Sequence, residues 1–153
     1  MSLRQRLNDE LKQAMKAADK LKVSTLRLVN AAIKERDIEN RTAGPDSGVG
    51  DPQILEVLNK MIKQRQDSFA AYEQAGRRDL AEQERGEIAI IRSFMPEPLG
   101  PDETKAAIEE AIAATQAASV KDMGRVIAHL KERYTGRMDF ATVGPAVRAK
   151  LQG

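Results

Sequence analysis

Few residues in this sequence combine a reactive side chain with the spacing that catalysis requires. Glu84 and Glu87 lie three positions apart, a spacing that suits a carboxylate pair for proton transfer or metal binding. No histidine accompanies them at ligand spacing, so we interpret them as ion-pair partners of the preceding helix. His129 is the single histidine, and we predict that it lies at the surface or at a helix end because no nucleophile or acid is indicated nearby.

Hydroxyl nucleophiles and cofactor motifs give no stronger signal. Ser24, Thr25 and Ser68 fall inside predicted helices without an activating base nearby. The sequence contains no Walker motif, no dinucleotide fingerprint and no metal-ligand cluster. It also has no cysteine, which excludes disulfides, thiolate zinc sites and a cysteine nucleophile. We therefore predict no catalytic residues, no metal and no cofactor, and we favour a binding role.

Bases concentrate near the C-terminal end. Residues 97–119 contain one base against five acids, and residues 120–153 contain seven bases against three acids, so the net charge changes from about −4 to about +4. Such bases can contact RNA phosphates without reading sequence, or they can simply solvate a surface, and both interpretations stay open. The seven candidates for RNA binding are Lys121, Arg125, Lys131, Arg133, Arg137, Arg148 and Lys150.

Two local patterns refine these candidates. Gly136 and Arg137 precede a helix predicted to begin at Asp139, whose exposed amides could bind a phosphate together with the arginine. Upstream, bases precede Phe69 and Tyr72, and such interleaving can stack unpaired nucleotides. These aromatic residues continue an apolar helical stripe, however, so we prefer to place them in the core.

Arg65 falls on the same apolar stripe as these aromatic residues. A buried guanidinium needs a carboxylate partner. We therefore predict a partly buried Arg65 that pairs with Glu84 or Glu87.

The composition predicts an all-α protein. Charged residues make up 31% of the chain and aromatic residues only 3%, and strong helix formers dominate while strand formers are scarce. Three prolines within six residues, beginning at Pro96, end the fourth predicted helix because each removes a donor and constrains its predecessor. We predict an N-terminal four-helix domain over residues 1–95 and a small three-helix C-terminal domain over residues 96–153.

Helix boundaries and buried faces follow from capping and periodicity. We predict capping boxes at Ser2–Gln5, Asp79–Glu82 and Ser119–Asp122, an N-cap at Asp51 before Pro52, a glycine-rich loop over 41–50, and a kink or restart at Gly144–Pro145. The inward residues of the first two helices are predicted to be Leu3, Leu7, Leu11 and Met15, followed by Leu21, Thr25, Leu28 and Ala32, with Val29 and Ile33 as further candidates.

Three spaced motifs together resemble the GatB/YqeY family, and specifically its stand-alone YqeY-like members. The motifs run from Lys63 to Leu80, from Glu84 to Pro96 and from Asp122 to Val147, and the resemblance covers nearly the whole chain. The loop over 41–50 is longer and richer in glycine than the family pattern. The residues that carry the resemblance are Lys63, Arg65, Tyr72, Gly76, Arg77, Asp79, Glu84, Glu87, Pro96, Gly124, Gly136 and Asp139.

The resemblance implies a role near translation. The C-terminal part is similar to the tail domain of the B subunit of glutamine-dependent aminoacyl-tRNA amidotransferase, a helical module that contacts tRNA. The family label of carbon–nitrogen ligase with glutamine as amido-N-donor describes a reaction that occurs in a domain this chain is too short to contain. We therefore expect a tRNA-associated accessory protein that binds tRNA or another structured RNA. One alternative is an adaptor for a translation-related protein, with no activity of its own, and another is an enzyme of the amidotransferase class, for which no catalytic residues are identifiable.

The start of the sequence and its hydropathy predict the compartment. The first seven residues lack the apolar core of a signal peptide, and no stretch approaches the roughly 20 apolar residues that a membrane span needs. We therefore expect a cytoplasmic protein without a membrane partner.

Overall fold

The computed structural model describes residues 2–40 and 48–152. Within those residues every regular element is helical and no strand occurs, which confirms the all-α prediction. The elements are α1 (Leu3–Lys16), α2 (Lys20–Asn40), α3 (Asp51–Gln74), α4 (Arg78–Arg92), α5 (Pro101–Thr115), a short 3-10 helix (Val120–Asp122), α6 (Met123–Tyr134) and α7 (Phe140–Gln152). None of the described helices is long and apolar enough to cross a membrane.

Contacts between residues divide the chain into two compact units, Met1–Met95 and Pro96–Gly153. The first unit holds α1 to α4, and α3 with α4 forms its most extensive helix pair. In α4, Gly86 permits a close approach to α2, because a Cβ there would lie 2.7 Å from Leu21 Cδ2. The core of this unit consists of Leu3, Leu7, Leu26, Val29, Ile33, Val49, Ile54, Val57, Leu58, Met61, Ile62, Ile91 and Phe94.

Two predicted core residues of α1 and α2 face outward instead. Met15 is 52% exposed and Leu28 is 49% exposed. A helix turns 100° per residue, so three steps of four residues rotate Met15 about 120° away from Leu3. In α2 the predicted Thr25, Val29 and Ile33 are buried, and Leu26, which was not predicted, is buried with them.

The capping predictions were partly confirmed. Ser2 Oγ accepts a hydrogen bond from the Gln5 amide, and Gln5 Oε1 accepts one from the Ser2 amide, which is the predicted capping box. The predicted box between Ser119 and Asp122 is also present, at the 3-10 helix.

Two other capping predictions were wrong. Gly50, not Asp51, precedes α3, and Gln53 Oε1 accepts from the Gly50 amide. Asp51 lies in the first turn and accepts instead from the Leu3 amide at 3.2 Å. The residue before α4 is Arg77, and the Asp79 carboxylate binds this arginine and does not cap the helix. Asp51 thus binds a partner 48 residues away, whereas Asp79 binds an arginine only two residues away.

Asp37 connects three segments of the first unit. Both of its oxygens accept hydrogen bonds from the Arg4 guanidinium, at 2.9 and 3.0 Å, and Oδ1 also accepts from the Val49 amide at 2.8 Å. Arg4 donates a further bond to the Val49 carbonyl. The network joins α1, α2 and the start of α3 where the chain re-enters the described residues. The predicted glycine-rich loop lies outside the described residues except at its last three positions.

The second unit packs α5, α6 and α7 around its own apolar core. Gly136 closes α6 at a φ of +82°, in the left-handed region that glycine adopts without strain. The predicted restart at Pro145 was wrong, because α7 runs through it as one continuous helix. The core consists of Ala107, Ile108, Ala111, Val126, Leu130, Met138, Val143 and Val147.

Candidate functional site

Three of the seven candidate RNA-binding bases already pair with acids of their own unit. Arg133 and Lys150 contact Glu110 and Glu109 of α5 at 2.6 and 2.7 Å. Arg125 contacts Asp122 at 2.8 Å. The acidic first helix of this unit and its basic end therefore neutralise each other in part, which the charge count along the sequence could not show.

Two further candidates have packing roles. Arg137 donates from Nε to the Glu97 carbonyl at 3.0 Å, and its own carbonyl accepts from the Leu99 amide. This arginine holds the proline-rich segment against the end of α6. The Lys131 ammonium lies 5.7 Å from the centre of the Phe140 ring, within range of a cation–π contact.

The remaining two candidates, Lys121 and Arg148, are exposed and have no ion-pair partner among the described residues. Lys121 lies in the 3-10 helix that leads into α6. On α7, a Cβ at Gly144 would meet the Met123 side chain at 3.8 Å, and Arg148 lies one turn further along. The start of α6, where Arg125 also lies, is therefore the most open basic region in the described part of this unit.

Gly124 lies between these bases in the first turn of α6. It is exposed, and a Cβ added there would meet nothing within 4 Å. No neighbouring side chain therefore requires a glycine at this position. In contrast, Gly136 is explained by its positive φ.

The carboxylate of Asp122 stabilises the turn that carries these bases. It accepts hydrogen bonds from the amides of Ala118 and Ser119, at 2.8 and 3.3 Å. The Ala118 amide, followed by the Arg125 guanidinium and the Ser119 amide, keeps the pKa of Asp122 below its usual range. Asp122 thus stays ionised at neutral pH and fixes the entry to α6.

The predicted pair between Arg65 and a carboxylate of α4 is present, and the partner is Glu87. Arg65 Nε lies 3.3 Å from Glu87 Oε2, although its N–H is not aligned for a hydrogen bond. Arg65 Nη1 donates to the Met61 carbonyl at 3.2 Å. Only 13% of the arginine side chain and 9% of the glutamate side chain are exposed, so the pair is shielded from solvent.

Glu84 lies beside this pair on α4. Burial raises the pKa of Glu84 above its usual range, and the neighbouring Glu87 carboxylate adds to the rise. The Arg65 charge opposes it in part. Arg65, Glu84 and Glu87 thus form a charge cluster between α3 and α4. The described residues contain no group of three or more His, Cys, Asp or Glu side chains that could hold a metal ion.

Two further predictions, one in each unit, need correction. Phe69 and Tyr72 are only partly buried, because the apolar core of α3 ends at Ile62. His129 is not a simple surface residue, since its Nε2 is buried without a hydrogen-bond partner among the described residues. Among the described residues, no pair of a nucleophile and a base contacts Phe69, Tyr72 or His129.

Other motif residues lie at the turn between α3 and α4. Gly76 has a φ of +71°, which the turn requires. The guanidinium of Arg77 contacts the Asp79 carboxylate at 3.2 Å in solvent. Lys63 is exposed on α3, with no partner among the described residues.

A shallow groove between the end of α1 and the start of α2 was not predicted. It is lined by Met15, Ala18, Lys20, Val23, Ser24 and Arg27. The sequence feature that could have indicated this groove is the pair Lys20 and Arg27, whose spacing of seven places both bases on one helical face.

The sequence matches the YqeY family, described as Yqey-like protein, over residues 4–151. The chain therefore belongs to this family, as the three motifs had indicated.

Yeast proteins named "Altered inheritance of mitochondria protein 41, mitochondrial" are similar to this chain. The relative from Kluyveromyces lactis is 36% identical over 88 residues, which cover 58% of this chain and 45% of the relative. The relative from Vanderwaltozyma polyspora is 34% identical over 89 residues, covering 58% and 46%. The one from Clavispora lusitaniae is 34% identical over 98 residues, covering 63% and 54%. The chain spans about half the length of these curated relatives.

Removal of one member of the buried ion pair should destabilise the first unit strongly. Arg65→Met leaves the Glu87 carboxylate buried without a counter-charge, and we expect a loss of about 3 kcal/mol. Urea unfolding followed by far-UV circular dichroism measures it. The double variant Arg65→Met/Glu87→Leu should recover most of the lost stability. The control Arg85→Gln removes the exposed ion pair with Glu82 and should cause no loss of stability. Equal losses for single and double variants would contradict a buried pair.

Stability should respond to pH through Glu84. Its raised pKa means that the folded state favours the protonated form, so ionisation at neutral pH costs stability. Glu84→Gln should therefore raise the free energy of unfolding at pH 7 by less than about 1 kcal/mol, because the group is partly exposed. The gain should vanish below the usual glutamate pKa of about 4.3, where both states are protonated. Exposed Glu82→Gln serves as control, and an equal gain for both would contradict the cause.

Proposed function

We propose that this YqeY-family protein is a non-catalytic accessory protein that binds a structured RNA, with tRNA as the first candidate, through the start of α6. The resemblance of the C-terminal part to the amidotransferase tail domain supports this function. A carbon–nitrogen ligase activity is not part of the proposal, because hydroxyl groups such as those of Ser24, Thr25 and Ser93 donate to backbone carbonyls and not to an activating base. A cytoplasmic location, predicted from the sequence, belongs to the same proposal.

The single observation that carries the proposal is Gly124. A helical glycine costs up to about 1 kcal/mol relative to alanine, yet here no neighbouring atom would collide with a Cβ. A bound ligand whose backbone comes close to the helix gives a reason for the missing side chain.

The charges around Gly124 fit a phosphate ligand. Lys121 and Arg148 have no competing acid among the described residues. Arg125 does pair with Asp122, but its side chain is 60% exposed, and exposed pairs contribute only about 0–1 kcal/mol. Replacing this contact by a charge-assisted hydrogen bond to phosphate therefore costs little free energy.

The second candidate function, a protein–protein adaptor, is favoured by a different observation. Among the described residues of the first unit, three large apolar side chains are exposed: Met15, Leu28 and Ile38. All three lie on α1 and α2, so this pair of helices offers the surface that an adaptor would need.

Electrophoretic titration with bulk tRNA at about 50 and about 200 mM salt tests RNA binding, because released counterions make phosphate contacts salt-dependent. We expect binding at low salt that weakens at high salt. The double variant Lys121→Gln/Arg125→Gln should weaken binding and reduce the logarithmic salt slope by about 2, one per lost contact. Lys105→Gln, on the acidic helix α5, is the matched control. Binding that is absent at low salt, or indifferent to salt, would reject the function.

Gly124→Ala should separate stability from binding. The alanine raises helix propensity by up to about 1 kcal/mol, so thermal unfolding should occur at an equal or higher temperature. Its methyl group should nevertheless weaken tRNA binding, because it occupies the space left for the RNA backbone. Unchanged tRNA affinity in this variant would remove the observation on which the function rests.

A further inference from the structure

The groove between α1 and α2 has an apolar floor. Met15, Ala18 and Val23 contribute to it, and together with the polar lining they leave a volume of about 420 Å³. Met15 is 52% exposed, and its unbranched thioether can adapt to different neighbours. An exposed apolar concavity of this kind is suited to receive an apolar side chain from a partner.

Ala18, which lines the groove, has an energetically unfavourable backbone conformation. It follows the end of α1 with a φ of +56°, in the left-handed region. The amides of Ala18 and Asp19 donate to the carbonyls of Met15 and Ala14, the bond pattern of a helix end where glycine is usual. An alanine in this conformation is strained. Strain held at a surface groove points to a role for the methyl group outside folding.

Unpaired positive charge borders the groove. Lys20 and Arg27 line it, and neither has an ion-pair partner among the described residues. The nearest acid in sequence, Asp19, is used for the start of α2, where it accepts from the Lys22 amide at 3.2 Å. No acidic side chain lines the groove. The two bases are separated by seven residues, about 10 Å along the helix.

We propose that this groove binds an acidic amphipathic helix of a partner protein. An apolar side chain of that helix enters the groove beside Met15 and Ala18. Carboxylates about two turns apart on the partner pair with Lys20 and Arg27. The inference rests on the adaptor role of α1 and α2 and is independent of RNA binding by the second unit.

The shape of the groove favours a protein helix over the other anionic partners. A phosphate backbone would satisfy the two bases but would leave the apolar floor exposed. A lipid surface is flat and fits an outward apolar face better than a concave one. Only a partner that carries an apolar side chain between acids uses both features of the groove.

Selection from a phage-displayed library of helix-forming peptides tests the inference. Peptides of about 15 residues, long enough for a marginally stable helix, are selected on the full chain and counter-selected on Lys20→Glu/Arg27→Glu. We expect enriched sequences with two acids that flank Leu, Met or Phe. By fluorescence anisotropy, an enriched peptide should bind the charge-reversed variant at least about tenfold more weakly than the unmodified chain.

Matched variants separate the groove from general charge. Lys34→Glu, on an exposed part of α2 outside the groove, should change peptide affinity by no more than about twofold. Met15→Ser should weaken binding. Ala18→Gly should unfold at an equal or higher temperature yet bind more weakly, an effect that a purely structural residue would not produce.

Three results would overturn the inference. The first is a selection in which no peptide prefers the unmodified chain over the charge-reversed variant, or in which the enriched peptides lack acidic residues. The second is binding to phosphatidylserine-containing vesicles that depends on Met15, Lys20 and Arg27, and the third is tRNA binding lost in the same variants. Peptide binding should be unchanged in Lys121→Gln/Arg125→Gln. A failure of the RNA proposal therefore does not affect this inference.

Discussion

The ion pair between Arg65 and Glu87 is the least exposed salt bridge in the described part of the first unit. It lies between α3 and α4, the most extensive helix pair, with little of either side chain exposed. Neither charge can leave without stranding the other in a shielded site. The pair therefore fixes the register of the two helices beyond the end of the apolar core at Ile62, and it explains why Glu84 is held beside a second carboxylate despite its raised pKa.

The second unit uses charge differently. Its acids on α5 pair with bases near the ends of α6 and α7, all in solvent, so these contacts contribute little to stability. Their effect is to localise the remaining positive potential. Lys121 and Arg148 have no ion-pair partner among the described residues, Arg125 is held only by an exposed pair with Asp122, and Arg137 holds the proline-rich segment. Only some of the seven bases counted in the sequence therefore contribute to the candidate RNA-binding surface.

Sequence reasoning succeeded where one local interaction decides the structure. The Ser2 and Ser119 boxes formed because each partner lies three residues away with no competitor. It failed at Asp51 and Asp79, where the carboxylates bind the Leu3 amide and the Arg77 guanidinium. The Leu3 amide lies 48 residues from Asp51 and is invisible to a local pattern, whereas Arg77 lies two residues from Asp79 and competes locally for its carboxylate. Leu28 of α2 was misassigned because neighbouring apolar positions differ by only 100° and packing against other helices chooses between them.

The sequence by itself determined the helical class, the pairing of Arg65 with an α4 carboxylate and the family, because composition, periodicity and ordered motifs are properties of the chain alone. Tertiary structure decided which bases remain free, where Met15 points and how Ala18 is strained. These depend on the distances between residues far apart in sequence and on the helix end at Ala17. Each of the two candidate surfaces contains bases without an ion-pair partner among the described residues: Lys121 and Arg148 in the second unit, Lys20 and Arg27 in the first.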